Sequence, residues 1–132
     1  MMIKGKIKFN LSIVKRAWKE AQKSNVVRGR VGAVLFTNSG NMITSAHNSI
    51  MMGHGKNFTV HAERYLLAKI ARMKIFKRFS GEKLNILVLR YKISSKYAAL
   101  AKPCDECQFY LKEANVRIFY SDEKGFIQEL NI

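Results

Sequence analysis

The sequence predicts an α/β fold, because helical and strand patterns alternate along it without an internal repeat or a low-complexity linker. Residues 11–24 (LSIVKRAWKEAQKS) repeat apolar side chains at helical spacing. Residues 84–91 (LNILVLRY) are a continuous apolar run, typical of a central strand covered on both faces. The 132 residues and 48% hydrophobic content suffice for a real core, so we expect a single domain over residues 1–132.

The first predicted elements are a helix and a β-hairpin. The helix spans residues 11–24, and Trp18 lies on its apolar stripe, where we expect it to join the core. Residues 31–37 (VGAVLFT) are typical of a buried strand, residues 38–41 (NSGN) of a hairpin turn, and residues 42–48 (MITSAHN) of an antiparallel partner strand.

Two further helices are predicted in the second half of the chain. Residues 61–76 form a helix that is basic on its outer side, with Thr59 as its N-cap. Residues 104–115 form another, because Pro103 suits a first helical turn. The loop of residues 92–103 between strand and helix is long enough to suggest a function of its own.

Basic residues are concentrated in one part of the chain. The formal net charge is +15; residues 1–81 carry 16 Lys and Arg against two acidic residues, whereas residues 82–132 carry 8 against 7. Such an asymmetry creates a positive potential that attracts phosphate-bearing partners. The alternative is an ordinary solvated surface of a lysine-rich protein.

Composition also predicts a cellular compartment. No stretch approaches the roughly 18 consecutive apolar residues of a membrane span, and residues 1–10 alternate lysine with apolar residues instead of forming the core of a signal peptide. The two cysteines are too few and too close together for a disulfide framework. We therefore expect an intracellular protein of a reducing compartment such as the cytoplasm, with no membrane partner.

Two short motifs predict a metal site when they are taken together. Cys104 and Cys107 lie at i and i+3 on the first turn of a predicted helix, where they point the same way and the helix dipole favours their thiolates. His61 can supply an imidazole as a third ligand. Three protein ligands leave one position of a zinc ion to water, whose pKa the metal lowers to about 7. Glu63 can then serve as general acid and base.

Each motif alone has a simpler interpretation. A lone His-x-Glu at a helix start is typical of a capped, solvated helix end, and a lone Cys-x-x-Cys is also found as a redox pair. Together, H-A-E followed by P-C-x-x-C matches the zinc deaminase signature. The chain resembles the cytidine and deoxycytidylate deaminase superfamily over nearly its whole length. The similar segments are VGAVLFTNSGNMITSAHNS (31–49), HAERYLLAKI (61–70) and KPCDECQFYLKEAN (102–115).

The resemblance implies a fold and a set of site residues. The fold is a three-layer α/β/α sandwich around a five-stranded mixed sheet. The site binds Zn²⁺ through His61, Cys104 and Cys107, and Glu63 is the proton shuttle. Asn48 falls where family members often keep an asparagine that contacts the substrate sugar or base. Self-association is a further expectation, because family members often form dimers or tetramers.

Departures from the family pattern bear on the substrate. Free-nucleoside cytidine deaminases usually have Asn-x-Glu where this chain has NSI (48–50), and they commonly use cysteine as the first ligand. Lys102 stands where serine or glutamate is common before Pro-Cys. In the other direction, only five residues join strand 116–120 to strand 126–130, too few for a crossover helix. The last two strands should therefore be antiparallel, as in nucleoside-type members.

The predicted function is hydrolytic deamination of cytosine to uracil in a phosphate-bearing substrate, either a single-stranded nucleic acid or a nucleotide. Candidate substrate contacts are basic side chains for phosphate and tyrosines for base stacking: Arg28, Arg30, Lys56, Arg64, Lys92, Tyr91 and Tyr97. A free cytidine or deoxycytidine deaminase is the alternative. A further alternative is a non-catalytic nucleic-acid-binding module, whose structural zinc would take its fourth ligand from His47 or His54.

Overall fold

Helices and strands alternate along the chain in the computed structural model. The structure describes residues 11–26, 29–53, 56–78, 83–91, 100–114, 116–124 and 126–130. In chain order the elements are α1 (Leu11–Gln22), β1 (Arg30–Thr37), β2 (Met42–His47), β3 (Ser49–Gly53), β4 (Lys56–Val60), α2 (Ala62–Arg72), α3 (Ile75–Arg78), β5 (Leu84–Tyr91), α4 (Asp105–Ala114), β6 (Arg117–Ser121) and β7 (Ile127–Leu130). None of the described helices combines the length and apolar character that a membrane crossing needs.

Five strands form one mixed sheet in the order β2-β1-β5-β6-β7. The pair β5 and β6 is parallel, and the other three pairs are antiparallel. Strands β3 and β4 form a separate two-stranded antiparallel hairpin. The mixed five-stranded sheet implied by the resemblance is therefore present, and the predicted antiparallel pairing of the last two strands is confirmed.

Helices cover both faces of the sheet. Because side chains alternate along a strand, β1 sends Ala33 and Leu35 to one face and Val34 and Phe36 to the other. The first face packs against α2, α3 and α4, through Leu66, Ile70, Ile75 and Leu111. The second face packs against α1, through Ile13 and Ala17. One apolar cluster lies between the sheet and the helices on each face. The structure therefore has three layers, as predicted for an α/β/α sandwich.

Most predicted elements appear close to their predicted bounds. The first helix, the hairpin of β1 and β2 and the buried central strand β5 are confirmed. Trp18 is half-buried, packs against the cluster beneath α1, and meets the Tyr91 ring edge-on at 4.9 Å between centroids. The helix predicted from residue 104 begins one residue later, at Asp105.

The helix predicted over residues 61–76 is shorter and interrupted. α2 ends at Arg72, and Lys74 has a positive φ of 52°, which breaks the helical path before α3 begins. Thr59 was the wrong N-cap, since it lies in β4 and the N-cap residue is His61. The hairpin of β3 and β4 occupies a stretch in which no strand was predicted.

Close contact between α1 and β1 depends on a glycine. A Cβ placed on Gly32 would lie 2.6 Å from the backbone nitrogen of Ala21 and would also collide with the carbonyl oxygen of Ala17. Both atoms belong to the backbone of α1, so they cannot turn aside as a flexible side chain would. The absence of a side chain at this position therefore lets the helix lie directly on the strand.

We expect Gly32→Ala to lower the free energy of unfolding by about 1–3 kcal/mol, because the added methyl group must push α1 away from the sheet. Urea denaturation monitored by circular dichroism measures the change. Gln22→Ala, at the exposed end of α1, is the control and should change stability by less than about 0.5 kcal/mol. An unchanged midpoint in Gly32→Ala would contradict this packing.

A buried carboxylate joins α1 to β2. Glu20 is 5% exposed; it accepts a hydrogen bond from Ser45 Oγ at 2.9 Å, and its Oε1 lies 2.8 Å from His47 Nδ1. Burial alone would raise the pKa of Glu20. Hydrogen bonds from His47 and Ser45 and the nearby charge of Lys23 nevertheless hold that pKa below its ordinary value of 4.5. The ionised form therefore stabilises the fold.

Because the pKa of Glu20 is lower in the folded state, its stabilising contribution is complete above about pH 4.5 and is lost as the pH falls through the folded-state pKa. We expect Glu20→Gln to be less stable than the parent at pH 7 and to lose less stability on acidification. Urea denaturation at a series of pH values tests this. Glu113→Gln, which removes an exposed carboxylate, should keep the parent's acid profile.

Candidate active site

The candidate site lies at one end of the sheet, where the carboxyl ends of three strands meet the start of β1. Arg30 pairs with Tyr91 and Gly32 with His47, so β5 and β2 both end beside the first residues of β1. β6 ends there as well, since Ser121 Oγ accepts a hydrogen bond from the backbone nitrogen of Arg90 at 3.3 Å. Crevices at the carboxyl ends of strands are common ligand sites in α/β proteins.

His61 is placed at this end by the start of α2. It is the N-cap residue, with extended backbone angles (φ −71°, ψ 149°), and its carbonyl accepts the backbone N–H of Tyr65 at 3.2 Å. Its side chain makes no capping hydrogen bond to the helix. The exposed imidazole is therefore available to a ligand, unlike a side chain that serves only to cap a helix.

The start of α4 supplies the two cysteines. Cys104 directly precedes the helix; its carbonyl accepts the N–H of Gln108 at 2.8 Å, and its sulfur accepts the N–H of Cys107 at 3.4 Å. The sulfur thus occupies the position of a capping side chain. Free backbone N–H groups and the positive end of the helix dipole favour a thiolate there.

His61, Cys104 and Cys107 fit a tetrahedral metal ion. Their ligand atoms all lie within 4.8 Å of one another, and His61 Nδ1 lies 3.2 Å from Cys107 Sγ and 3.5 Å from Cys104 Sγ. The metal–ligand distances of a tetrahedral zinc site imply separations of roughly 3.5–3.8 Å between such atoms. One nitrogen and two sulfurs are also ligands that zinc prefers. Zn²⁺ therefore fits this cluster with small adjustments of side chains.

Neither candidate for a fourth ligand is seen to complete the cluster. His47 lies beside Glu20 and does not belong to the group of three ligands. His54 lies outside the described residues. Within the described part of the chain, one coordination position of a tetrahedral ion thus has no protein ligand, as a catalytic zinc site requires.

Burial and nearby negative charge disfavour the thiolate form of Cys107. Burial raises the pKa of this thiol, and the Glu63 carboxylate and Cys104 raise it further. A bound divalent cation has the opposite effect and deprotonates a coordinating thiol. Cys107 therefore becomes a strong ligand only together with the metal.

Glu63 lies beside the ligands, in the first turn of α2. It is 5% exposed, and burial raises its pKa above the ordinary value of 4.5. The nearby Cys107 and the charge of His61 offset part of this rise in pKa. A carboxyl group whose pKa is raised towards neutrality is suited to take up and release a proton during a reaction.

The two helix starts are also joined at the protein surface. Arg64 NH1 lies 2.9 Å from Glu106 Oε1, and the Arg64 guanidinium lies 4.2 Å from the centre of the Tyr110 ring. Both partners of the ion pair are solvent-accessible, so we expect it to contribute less than about 1 kcal/mol. Arg64, predicted as a phosphate contact, instead contacts Glu106 and Tyr110 of α4.

A cavity of about 400 Å³ opens next to the ligands and Glu63. Its lining residues come from the start of β1 and the segment before it, the ends of β2 and β5, the start of α2 and the segment before α4: Val26, Gly29, Val31, Asn48, His61, Ala62, Glu63, Arg90, Leu100, Ala101, Lys102 and Cys104. The volume falls in the range of roughly 300–1,000 Å³ that is usual for small-molecule sites.

Asn48 lines this cavity and also forms hydrogen bonds with the backbone at the start of β1. Its Oδ1 accepts the backbone N–H of Val31 at 2.9 Å, and its Nδ2 donates to the carbonyl of Gly29 at 2.9 Å. Each of these atoms has a second hydrogen-bonding position left. Asn48 can therefore hold the backbone and face a ligand at the same time.

The structure describes the side chains of two other predicted substrate contacts, Arg30 and Tyr91. Arg30 donates through Nε to the carbonyl of Val26 at 3.1 Å, and Tyr91 packs on Trp18; neither lines the cavity. Arg28, Lys92 and Tyr97 lie outside the described residues, as does the side chain of Lys56.

Sequence reasoning assigned no role to two cations that do line the cavity, Arg90 and Lys102. Their positions in the sequence could have indicated that they lie near the site. Arg90 is the first charged residue after the apolar run of β5, at the carboxyl end of a central strand, and Lys102 stands two residues before a zinc ligand.

Comparison with known proteins agrees with this geometry. The family model described as "Cytidine and deoxycytidylate deaminase zinc-binding region" matches residues 8–121. A comparison with curated protein sequences finds no match.

Solved structures share the fold at low sequence identity. A dCMP deaminase from the cyanophage S-TIM5 in apo form is 24% identical, with a TM-score of 0.58 over 85% of this chain and 81% of its own. A cytidine deaminase from Burkholderia pseudomallei is 17% identical, with a TM-score of 0.64 over 94% and 93%. One from Mycobacterium leprae is 20% identical, with a TM-score of 0.55 over 87% of each chain.

We expect the purified protein to bind a single zinc ion per chain. Cys107→Ser should weaken zinc affinity by more than about 100-fold, because it removes a sulfur that would bind the metal directly. Loss of such a ligand lowers the affinity more than loss of a residue that only hydrogen-bonds to a ligand. Competition with a chromogenic chelator measures the affinity. His47→Gln, a substitution outside the cluster, should keep the affinity of the parent. Equal zinc affinity in Cys107→Ser and the parent would remove this residue from the site.

Proposed function

Because the chain belongs to the cytidine and deoxycytidylate deaminase family, we propose that it deaminates cytosine in a phosphate-bearing substrate. Zinc-dependent deamination of cytosine is the reaction of this family. The observation that carries the proposal is the buried Glu63 carboxyl group in a cavity shared with His61 and Cys104. We propose further that the substrate is a nucleotide or a single-stranded nucleic acid.

The reaction consumes water and releases ammonia, so it requires proton transfers at the site. Zinc, when bound, activates the water that attacks C4 of the base. Glu63 accepts a proton from this water and donates it to N3 of the base; it then takes the second proton from the hydroxyl group formed at C4 and delivers it to the amine, which leaves as ammonia. Its burial and raised pKa support this role, since the same carboxyl group must alternate between two protonation states.

Asn48 would position the substrate. Its side chain is fixed by Val31 and Gly29, which reduces the entropy lost on binding. The remaining N–H and oxygen lone pair would face the sugar or the base within the cavity.

Charge supports a substrate that carries phosphate. Residues 1–81 have 16 basic and two acidic residues, and one of the two acidic residues, Glu20, is paired inside the fold. The chain also has Ile50 where nucleoside-specific members usually have the glutamate that holds a ribose hydroxyl. The cyanophage relative is a dCMP deaminase, an enzyme named for a nucleotide substrate.

A free-nucleoside deaminase is the second candidate, because one structural observation favours it. β7 is antiparallel to β6, as expected for nucleoside-type members. The similar structures from Burkholderia pseudomallei and Mycobacterium leprae are both cytidine deaminases.

A parallel assay decides between these candidates. Uracil formation is measured with cytidine, deoxycytidine, CMP, dCMP and a single-stranded oligonucleotide at equal cytosine concentrations. We expect kcat/KM to be higher for phosphate-bearing substrates. Equal or higher values for the free nucleosides would favour the second candidate instead.

Glu63→Gln should reduce kcat by about 10²- to 10⁴-fold while leaving zinc affinity unchanged, because the amide cannot carry the proton. Steady-state kinetics and zinc analysis of the same preparation measure both effects. Glu113→Gln is the control with the same change in charge at an exposed position of α4. Parent-like turnover in Glu63→Gln would assign the proton transfers to another group.

A further inference from the structure

Two cations line the cavity without a partner among the described residues. Arg90 is half-buried at the end of β5, and Lys102 is exposed just before Pro103. Among the described residues, neither side chain makes an ion pair or a hydrogen bond. By contrast, Arg64 and Arg117 are each paired with a glutamate. Cations that line a cavity without a partner are available to an anionic ligand.

The guanidinium of Arg90 is held against the backbone of Gly29. A Cβ on this glycine would lie 3.1 Å from one terminal nitrogen of Arg90 and 3.3 Å from the central carbon of the guanidinium. Gly29 also has a φ of 75°, a conformation that glycine adopts without strain. The carbonyl of Gly29 is fixed by Asn48, so the Arg90 guanidinium lies against a fixed surface.

Ser121 ties the backbone of Arg90 to that of the residue before Lys102. Its Oγ accepts the backbone N–H of Arg90 at 3.3 Å, and its carbonyl accepts the backbone N–H of Ala101 at 2.8 Å. Ser121 is fully buried at the end of β6. The end of β5 and the residue before Lys102 are therefore tied to one point of the sheet.

The cavity is lined both by the reacting groups and by cations. Glu63, His61 and Cys104 are the reacting groups, and Arg90 and Lys102 are the cations. No described lining residue other than Glu63 is acidic. A substrate whose base lies near Glu63 therefore shares the cavity with two positive charges that its phosphate can contact.

We propose that Arg90, together with Lys102, binds the phosphate monoester of a nucleoside monophosphate and selects it over the free nucleoside. The inference rests on the proposed function and identifies the residues that recognise phosphate. A guanidinium donates two parallel hydrogen bonds to phosphate oxygens, and an ammonium adds a point charge. A phosphate monoester carries a charge of about −1.5 to −2 near neutral pH, which two cations match better than the single charge of an internal phosphodiester.

The test compares paired substrates that differ only in phosphate. We expect Arg90→Gln to reduce kcat/KM for dCMP by about 10- to 100-fold and to leave that for deoxycytidine within about twofold. Lys102→Gln should have a smaller effect in the same direction. Arg90→Lys should restore part of the loss, because it keeps the charge without the paired hydrogen bonds. Arg72→Gln, the same charge change on the far end of α2, should not alter the ratio between the substrates.

Equilibrium binding gives a second readout that needs no turnover. In the Glu63→Gln background, titration calorimetry with dUMP and deoxyuridine measures the contribution of phosphate to product affinity. We expect the preference for dUMP to fall about 10- to 100-fold when Arg90→Gln is added. An equal loss for both ligands would overturn the inference, since it would mean that Arg90 only supports the fold of the cavity.

The outcomes separate this inference from the proposed function. If the parent deaminates none of the cytosine substrates, the proposed function fails. If it deaminates dCMP and deoxycytidine and Arg90→Gln leaves their ratio unchanged, only the inference fails. If an oligonucleotide with blocked ends depends on Arg90 while dCMP is no better than deoxycytidine, the phosphate belongs to a polynucleotide and the monoester assignment is overturned.

Discussion

The site depends on one geometric constraint: two helices must begin at the same point in space. His61 is the N-cap of α2, and Cys104 directly precedes α4, so neither side chain is set by the middle of a helix. Their ligand atoms come within 3.5 Å only because both helix starts lie above the same end of the sheet. A shift of one helix by a single turn, about 5.4 Å, would separate imidazole from thiolate.

The apolar core maintains this constraint. Leu66 and Ile70 of α2 and Leu111 of α4 are buried in the same cluster on one face of the sheet. β5 and β6 are parallel, which requires a connection across the sheet and places α4 between them in the chain. The Arg64–Glu106 pair adds little energy at the surface, so packing of the helices, and not the ion pair, determines where the ligands lie.

Sequence patterns predicted those features of the structure that depend on residues close together in the chain. Helical spacing located α1, the apolar run located β5, and the motifs that contain His61 and Cys104 located the metal site. The hairpin of β3 and β4 and the cap of α2 were missed, since they depend on backbone pairing that a single sequence does not reveal. Arg90 was missed for a related reason: a cation becomes a cavity residue only through distant neighbours such as Gly29 and Ser121.

Asn48 lines the cavity and also stabilises the backbone around it. Resemblance to a family suggested this residue as a substrate contact, whereas the structure shows that its amide also fixes the backbone of Gly29 and Val31. The Arg90 guanidinium lies against Gly29, so the asparagine that lines the cavity also fixes the backbone on which the cation rests. A buried amide with both ends hydrogen-bonded is costly to replace. Position 48 is therefore constrained by folding as well as by any ligand.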